Sequence, residues 1–273
     1  MNINSDKSES FYNKYFEGEN YLLYKYDVGA FCTRGAIKSL IKNKVGNLLE
    51  IGTGLYPVFF DLPQFNCFGV DISKKSVDQN IELAKKLNFK AEFKIANAEK
   101  LPFDSNLFDV IVSSHTLEHI KDDEAVIKEC LRILKLGGEA IFFVPGRIDG
   151  TALKSEWEKL GHYRSYNKKR FLDLEKNVAS ELKITNLLFP HKIHNLIWNN
   201  FKPLIRWINY PIKRYVKRDN LGYEFRSAYQ KYFLPVIAGI LDNLDKLVMK
   251  KEKNFFGTEF NVLVRFEKKS DQI

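Results

Sequence analysis

Four short stretches of this 273-residue chain carry groups able to grip a nucleoside-like ligand. Gly52-Thr53-Gly54 follows Leu48-Leu49-Glu50-Ile51, the pattern of a buried strand running into a turn. Glycines there permit backbone angles that a side chain blocks, and they remove the Cβ that would stand in a ligand's way. Asp71 lies 19 residues after Gly52, where an acid can accept hydrogen bonds from ribose hydroxyls, and Ile72 follows it. Asn97-Ala98-Glu99 and Ser114-His115 close two further apolar runs. His115, His162 and Tyr163 are the groups able to take a proton from an attacking hydroxyl or amine. No cysteine stands in a nucleophile motif, and no bound metal is expected.

Positioning those stretches requires strands that end together at one rim. From residue 47 the pattern alternates accordingly. Strands are expected over 48–51, 67–72, 91–95, 108–113 and 139–144. Between them, Pro57 opens a short helix that Pro63 ends, and Ser73 caps a helix to about Leu87. A further helix runs from about Asp123 to Leu134, with Gly137-Gly138 ending it. Apolar strands alternating with amphipathic helices mean a parallel sheet covered on both faces, with ligands held at the carboxyl ends of the strands. A helix over 167–180, a strand over 183–189 and an alternating strand over 259–267 complete the expected sheet of seven strands.

The remainder is compositionally distinct. Residues 11–44 are rich in aromatic side chains and end in a helical pattern over 28–42, read as a cap on the sheet. Two roles are open for that cap: packing, or a lid whose tyrosines or Arg34 touch a ligand carboxylate. Residues 182–218 contain no acid and carry eight of the net nine positive charges, interleaved with aromatic and aliphatic residues. Such a segment suits an anionic membrane surface, an RNA backbone, or a lid over an acceptor. The three cysteines are scattered as in a cytoplasmic protein with reduced thiols, and the polar first residues do not resemble a signal peptide.

The motifs taken together resemble one family. Leu48-Leu49-Glu50-Ile51-Gly52-Thr53-Gly54, Phe68-Gly69-Val70-Asp71-Ile72-Ser73 and Asn97-Ala98-Glu99-Lys100-Leu101-Pro102-Phe103 occur in order. The run from Phe108 to Ile120 and Arg132-Ile133-Leu134-Lys135-Leu136-Gly137-Gly138 follow. This series is similar to the class I S-adenosylmethionine-dependent methyltransferases, among them the ubiquinone-biosynthesis enzymes. The resemblance implies an α/β, Rossmann-like fold of seven mostly parallel strands with helices on both faces. It implies a helical cap over 1–44, a cofactor domain over 45–189 with 258–268, and a helical insertion over 190–257.

It also implies S-adenosyl-L-methionine as cofactor and S-adenosyl-L-homocysteine as product. Glu50, Gly52, Thr53, Gly54, Asp71, Ile72, Asn97, Ala98, Glu99, Ser114 and His115 are then the cofactor contacts. Two positions depart from the family pattern: Tyr56 replaces a third glycine, and Asn97 stands where Asp is usual. Glu50 has two open readings, a support for the glycine loop or a direct ligand contact. His119 reads as a structural histidine with its hydrogen bonds satisfied. The expected reaction is O- or N-methylation of a small-molecule, lipid-linked or sugar-type acceptor in the cytoplasm, with peripheral contact to the inner membrane surface through 190–218. An RNA substrate, or a cofactor-binding protein without turnover, are the alternatives; the Asn/Asp-Pro-Pro-Tyr/Phe tetrapeptide of many base methyltransferases is absent after residue 113.

Overall fold

A computed structural model describes residues 28–147, 149–151, 161–178, 181–190 and 259–269, with isolated positions around 10–25 and 232–244. The basic segment and nearly all of the insertion expected over 190–257 lie outside the described residues, as does most of the cap before residue 28.

The first described element is helix α1 (Val28–Leu40). The sheet then begins with β1 (Gly46–Ile51) and β2 (Phe65–Asp71), joined by a 3-10 turn (Val58–Asp61) that Pro57 precedes. Helix α2 (Lys74–Lys86), β3 (Ala91–Ile95) and β4 (Phe108–Ser114) follow. A second 3-10 turn (Leu117–His119) leads to α3 (Asp123–Ile133) and β5 (Leu134–Arg147). Last come α4 (Lys168–Asn177), β6 (Leu182–Leu188) and β7 (Glu259–Lys268). The order across the sheet is β3-β2-β1-β4-β5-β7-β6. β1 through β5 pair in parallel, and β7 runs antiparallel to both β5 and β6. The order reverses between β1 and β4, so the loops after those two strands diverge and leave a crevice at their carboxyl ends.

Strand alternation sends side chains to two separate cores. Leu48, Val110, Val112, Ile141, Phe143 and Leu263 face one way, under α1, α2 and the Phe59-Phe60 turn. Leu49, Ile51, Ile111, Ala140, Phe142, Val262 and Val264 face the other, under α3 and α4. Period-two burial on both faces is what a covered parallel sheet requires. The three cysteines are buried and unbridged. Burial pushes the Cys67 thiol up to about 12, and Glu50 beside it adds to the shift. Among the described residues, no helix is long and apolar enough to cross a membrane.

One boundary departs from expectation. α3 ends at Ile133, and Leu134 is already extended, pairing with Phe108. Gly137-Gly138 therefore do not end the helix. They lie inside β5, where Gly137 has φ +75 and the pairing with β4 shifts register between Phe108 and Val110. Glycine is needed for that irregularity: a Cβ on Gly138 would come 2.8 Å from Lys135 O.

Candidate functional site

The loop after β1 is held from three sides. Gly52 has φ +76, and its N–H donates to Val70 O at 2.8 Å. A Cβ there would stand 2.0 Å from Thr116 Oγ1, so the loop after β4 packs directly on this backbone. Gly54, at φ +51, differs: nothing lies within 4 Å of where its Cβ would be. Its N–H donates to Asp71 Oδ2 at 3.0 Å, while Asp71 Oδ1 accepts from Ser73 N at 2.9 Å. Burial pushes the Asp71 carboxyl above its ordinary value, and these donors pull it back in part. Asp71 thus ties the ends of β1 and β2 together at the rim.

Two residues that the sequence reading missed complete the fixing. Ser76 Oγ stands 2.6 Å from Gly54 O and 3.0 Å from Asp71 Oδ2, with one proton to share between them. Asn80 Nδ2 donates to Gly54 O at 2.7 Å and to Thr53 Oγ1 at 3.3 Å. Both are fully buried on α2, one turn apart. The signal was present: two polar residues four apart on the face carrying Val77, Leu83 and Ala84. Ser73 caps that helix as expected, accepting from Ser76 N at 3.2 Å.

Glu50 points away from the rim. Its Oε2 accepts from Phe59 N at 3.2 Å inside the core. Burial pushes its carboxyl up to about 8, against two backbone donors and Arg34. Tyr56, in place of the third glycine, packs 5.4 Å from the Phe60 ring, with the Arg34 guanidinium 5.0 Å from its own ring. Arg34 also donates to Asp61 at 3.1 Å. The described cap residue Arg34 is therefore engaged with the 3-10 turn and Tyr56.

After β3, Asn97 folds onto itself. Its Oδ1 accepts from Glu99 N at 2.9 Å and its Nδ2 donates to Glu99 Oε2 at 3.2 Å, forming a side-chain turn. Ala98 is buried beneath, and Ile72 and Glu99 are half-buried at the same rim. Arg132 holds the following residues by donating to Leu101 O and Phe103 O at 3.0 and 2.7 Å.

The end of β4 is built differently. Ser114 is half-buried, and His115 takes φ +51, a left-handed conformation uncommon outside glycine. The His115 N–H donates to Phe143 O at 2.8 Å and its ring remains half-exposed. Beneath it Glu118 is fully buried, and neither carboxylate oxygen has a formed hydrogen bond. His115 Nδ1 stands 3.5 Å from Glu118 Oε1, and His119 Nε2 stands 3.8 Å from it. Burial pushes the Glu118 carboxyl up, but His115 and His119 outweigh it and the net shift is downward. Burial lowers His119 against the pull of Glu118.

The loop before α4 brings His162 to this cluster. Arg164 donates to Ile120 O at 2.9 Å, and the Tyr166 hydroxyl to Leu117 O at 3.2 Å or Asp123 Oδ2 at 3.0 Å. Tyr163 N donates to Glu118 O at 2.8 Å. So fixed, His162 is buried with its ring 4.6 Å from that of His119. His119 is not the satisfied histidine expected, because its Nδ1 has no partner; nor has Nδ1 of His162. The Tyr163 side chain is exposed. The cap reaches both halves of the rim. The Tyr12 ring meets His119 edge-on at 5.5 Å, and Asn13 Oδ1 accepts from Ser73 Oγ at 2.7 Å.

A mostly parallel sheet with a pinned glycine loop and an acid at the ends of its central strands is the arrangement common to nucleotide-binding α/β folds. Residues 49–142 match the family model for a methyltransferase domain. The chain is 29% identical over 105 residues to ajmaline N-methyltransferase of Rauvolfia serpentina, covering 37% of this chain and 36% of that one. It is 28% identical over 125 residues to a ubiquinone/menaquinone biosynthesis C-methyltransferase of Xylella fastidiosa, covering 46% and 42%. Phosphoethanolamine N-methyltransferase 2 of Haemonchus contortus, solved with S-adenosyl-L-methionine, superposes with a TM-score of 0.62 at 20% identity. That match covers 89% of this chain and 53% of the other, and at such identity it speaks for the fold alone. The chain spans less than half the length of the curated relatives it matches. Over the matched segment the chain is thus similar to methyltransferase domains, and its fold is that of a neighbour solved with S-adenosyl-L-methionine.

Proposed function

We propose that this chain transfers a methyl group from S-adenosyl-L-methionine to a small-molecule acceptor, by O- or N-methylation, releasing S-adenosyl-L-homocysteine. The observation that carries the reading is the glycine loop: pinned by Asp71, Ser76 and Asn80, yet open in front of Gly54. A fixed backbone with space before it suits a cofactor tail. Asp71 and Ile72 would receive the ribose, with Asn97, Ala98 and Glu99 beside the adenine and Gly52, Thr53, Gly54 and Ser114 along the tail. Glu50 would act through the loop, since its carboxyl faces Phe59. The bound cofactor supplies an already activated methyl group.

The protein's part is to align the acceptor, exclude water and take up a proton. Of the three candidates for the last task, His115 is best supported, being half-exposed at the rim with Glu118 beside it. His162 is buried against His119 and Tyr163 turns outward. The relatives' names cover an alkaloid and a quinone, which favours a small acceptor over nucleic acid. Lipid-linked and sugar-type acceptors belong to the same proposal, with peripheral membrane contact through 190–218 resting on its charge.

The test is formation of S-adenosyl-L-homocysteine with a panel of small hydroxyl and amine acceptors. Turnover with one of them, reduced at least tenfold by His115→Ala, is the expected result. Cofactor binding without turnover on any acceptor, or turnover on bulk RNA alone, would overturn it. Sedimentation with anionic vesicles tests the membrane contact, which fails if no salt-sensitive binding is seen.

A further inference from the structure

Three of the chain's five histidines, His115, His119 and His162, converge on one buried carboxylate, that of Glu118. One donor atom each from Glu118, His119 and His162 can be chosen so that all three lie within 4.8 Å of one another. Glu118 is completely buried, His162 is 92% buried by its 8% exposure, and both carry polar atoms without a hydrogen-bond partner. His119 adds a third unpartnered atom, its Nδ1.

Of the six buried side-chain atoms without a hydrogen-bond partner among the described residues, four belong to Glu118, His119 and His162, while other buried carboxylates of this domain are paired. Asp123 takes Arg164, Arg170 and the Tyr166 hydroxyl, and Glu139 takes Arg265 and two backbone N–H groups. Among the described residues, Glu118 has no Lys or Arg in its ion pairs. A buried carboxylate whose neighbours are imidazoles, with no formed hydrogen bond, leaves its desolvation uncompensated by any fixed charge. Such a cost persists where a ligand removes it.

We propose that Glu118, His119 and His162 form a binding site for a single divalent transition-metal ion. Two imidazoles and one carboxylate are a borderline donor set, suited to Zn2+, Co2+, Mn2+ or Fe2+ ahead of Mg2+ or Ca2+. Ligands of a tetrahedral Zn2+ stand roughly 3.3 Å apart, so the three donors close onto an ion by side-chain shifts of about 1 Å. The backbone is ready for it: the Leu117–His119 turn and the 161–166 loop are already joined through Tyr163 N, Arg164 and Tyr166. Three protein ligands leave a coordination position for water or an acceptor oxygen. His115 Nδ1 stands 3.5 Å from Glu118 Oε1, next to the three donors. Sequence spacing could not bring in His162, which is 43 residues from His119.

The site is tested on the tag-free full chain, stripped with a chelator and titrated with Zn2+, Mn2+ and Mg2+ by calorimetry. The expected result is saturable binding of one Zn2+, tighter than Mn2+ and far tighter than Mg2+, together with a higher melting temperature. Glu118→Gln and His162→Gln, each checked for folding by circular dichroism, should weaken Zn2+ at least 100-fold. If one variant fails to fold, the other carries the comparison. Absence of a saturable Zn2+ site in the wild-type chain, or unchanged affinity in a folded variant, overturns the proposal. Because the readout is metal binding, its failure is separable from failure of methyl transfer, which cofactor titration and turnover report.

Discussion

The two sides of the crevice are built on opposite plans. On the β1–β2 side the glycine loop is held by hydrogen bonds within the chain, from the Gly54 N–H on Asp71 to its carbonyl under Ser76 and Asn80. On the β4 side a left-handed histidine stands over a buried glutamate with no formed hydrogen bond and two imidazoles with unpartnered nitrogens. A satisfied network is rigid and ready before a ligand arrives; an unsatisfied one stores a cost that a ligand can relieve. The first plan suits a cofactor whose shape never varies. The second suits the place where protons move or an ion is held.

Breaking the rigid side should have the largest effect. Gly52→Ala forces a Cβ to 2.0 Å from Thr116 Oγ1 at a φ of +76, and should cost about 3 kcal/mol in a denaturant melt. Gly54→Ala meets no atom within 4 Å and should cost about 1 kcal/mol, from its positive φ alone. Equal losses would remove the distinction between the packed and the open glycine.

Glu50 gives a smaller effect with a definite sign. Its folded value of about 8 lies above the ordinary carboxylate value, so the folded state holds the extra proton in between. Its contribution is therefore present at low pH and is lost as pH rises from about 5 to about 8. Glu50→Gln keeps an acceptor for Phe59 N and should flatten that decline. Thermal melts across this range check it, and parallel profiles for the two proteins would contradict it. On the unsatisfied side the sign reverses: His115→Gly should raise stability by about 0.5 kcal/mol, by relieving its left-handed φ, while reducing turnover. A loss of stability would show that the His115 ring is part of the structural network.

The same contrast explains what could be read from the chain. β1, β2, β4 and the glycine loop announce themselves through local pattern: Leu48-Leu49, Gly52 and Gly54, and the cap at Ser73 are neighbours in sequence. The antiparallel β7 was legible from its alternation over 259–267. Gly137-Gly138 misled, because a glycine pair reads alike whether it ends a helix or bends a strand. Ser76 and Asn80 share the apolar face of α2 with Val77 and Leu83, but only the position of α2 over the loop gives them a partner. Glu50 was ambiguous because the 3-10 turn that claims it forms only when Phe59 and Phe60 enter the core. His119 and His162 meet through a loop whose path is set by Arg164 and Tyr166, contacts across more than 40 residues that local pattern does not encode.

The measurement that bears most directly on the open, pinned glycine loop is calorimetric titration of S-adenosyl-L-methionine into the wild-type chain and Gly54→Ala. The methyl group of the variant occupies the space in front of the loop and touches nothing else within 4 Å. One-to-one binding in the wild type, weakened at least tenfold in a variant that still folds, is the expected result. No binding in the wild type, or equal affinity in the two proteins, would contradict the placement of the cofactor at this rim.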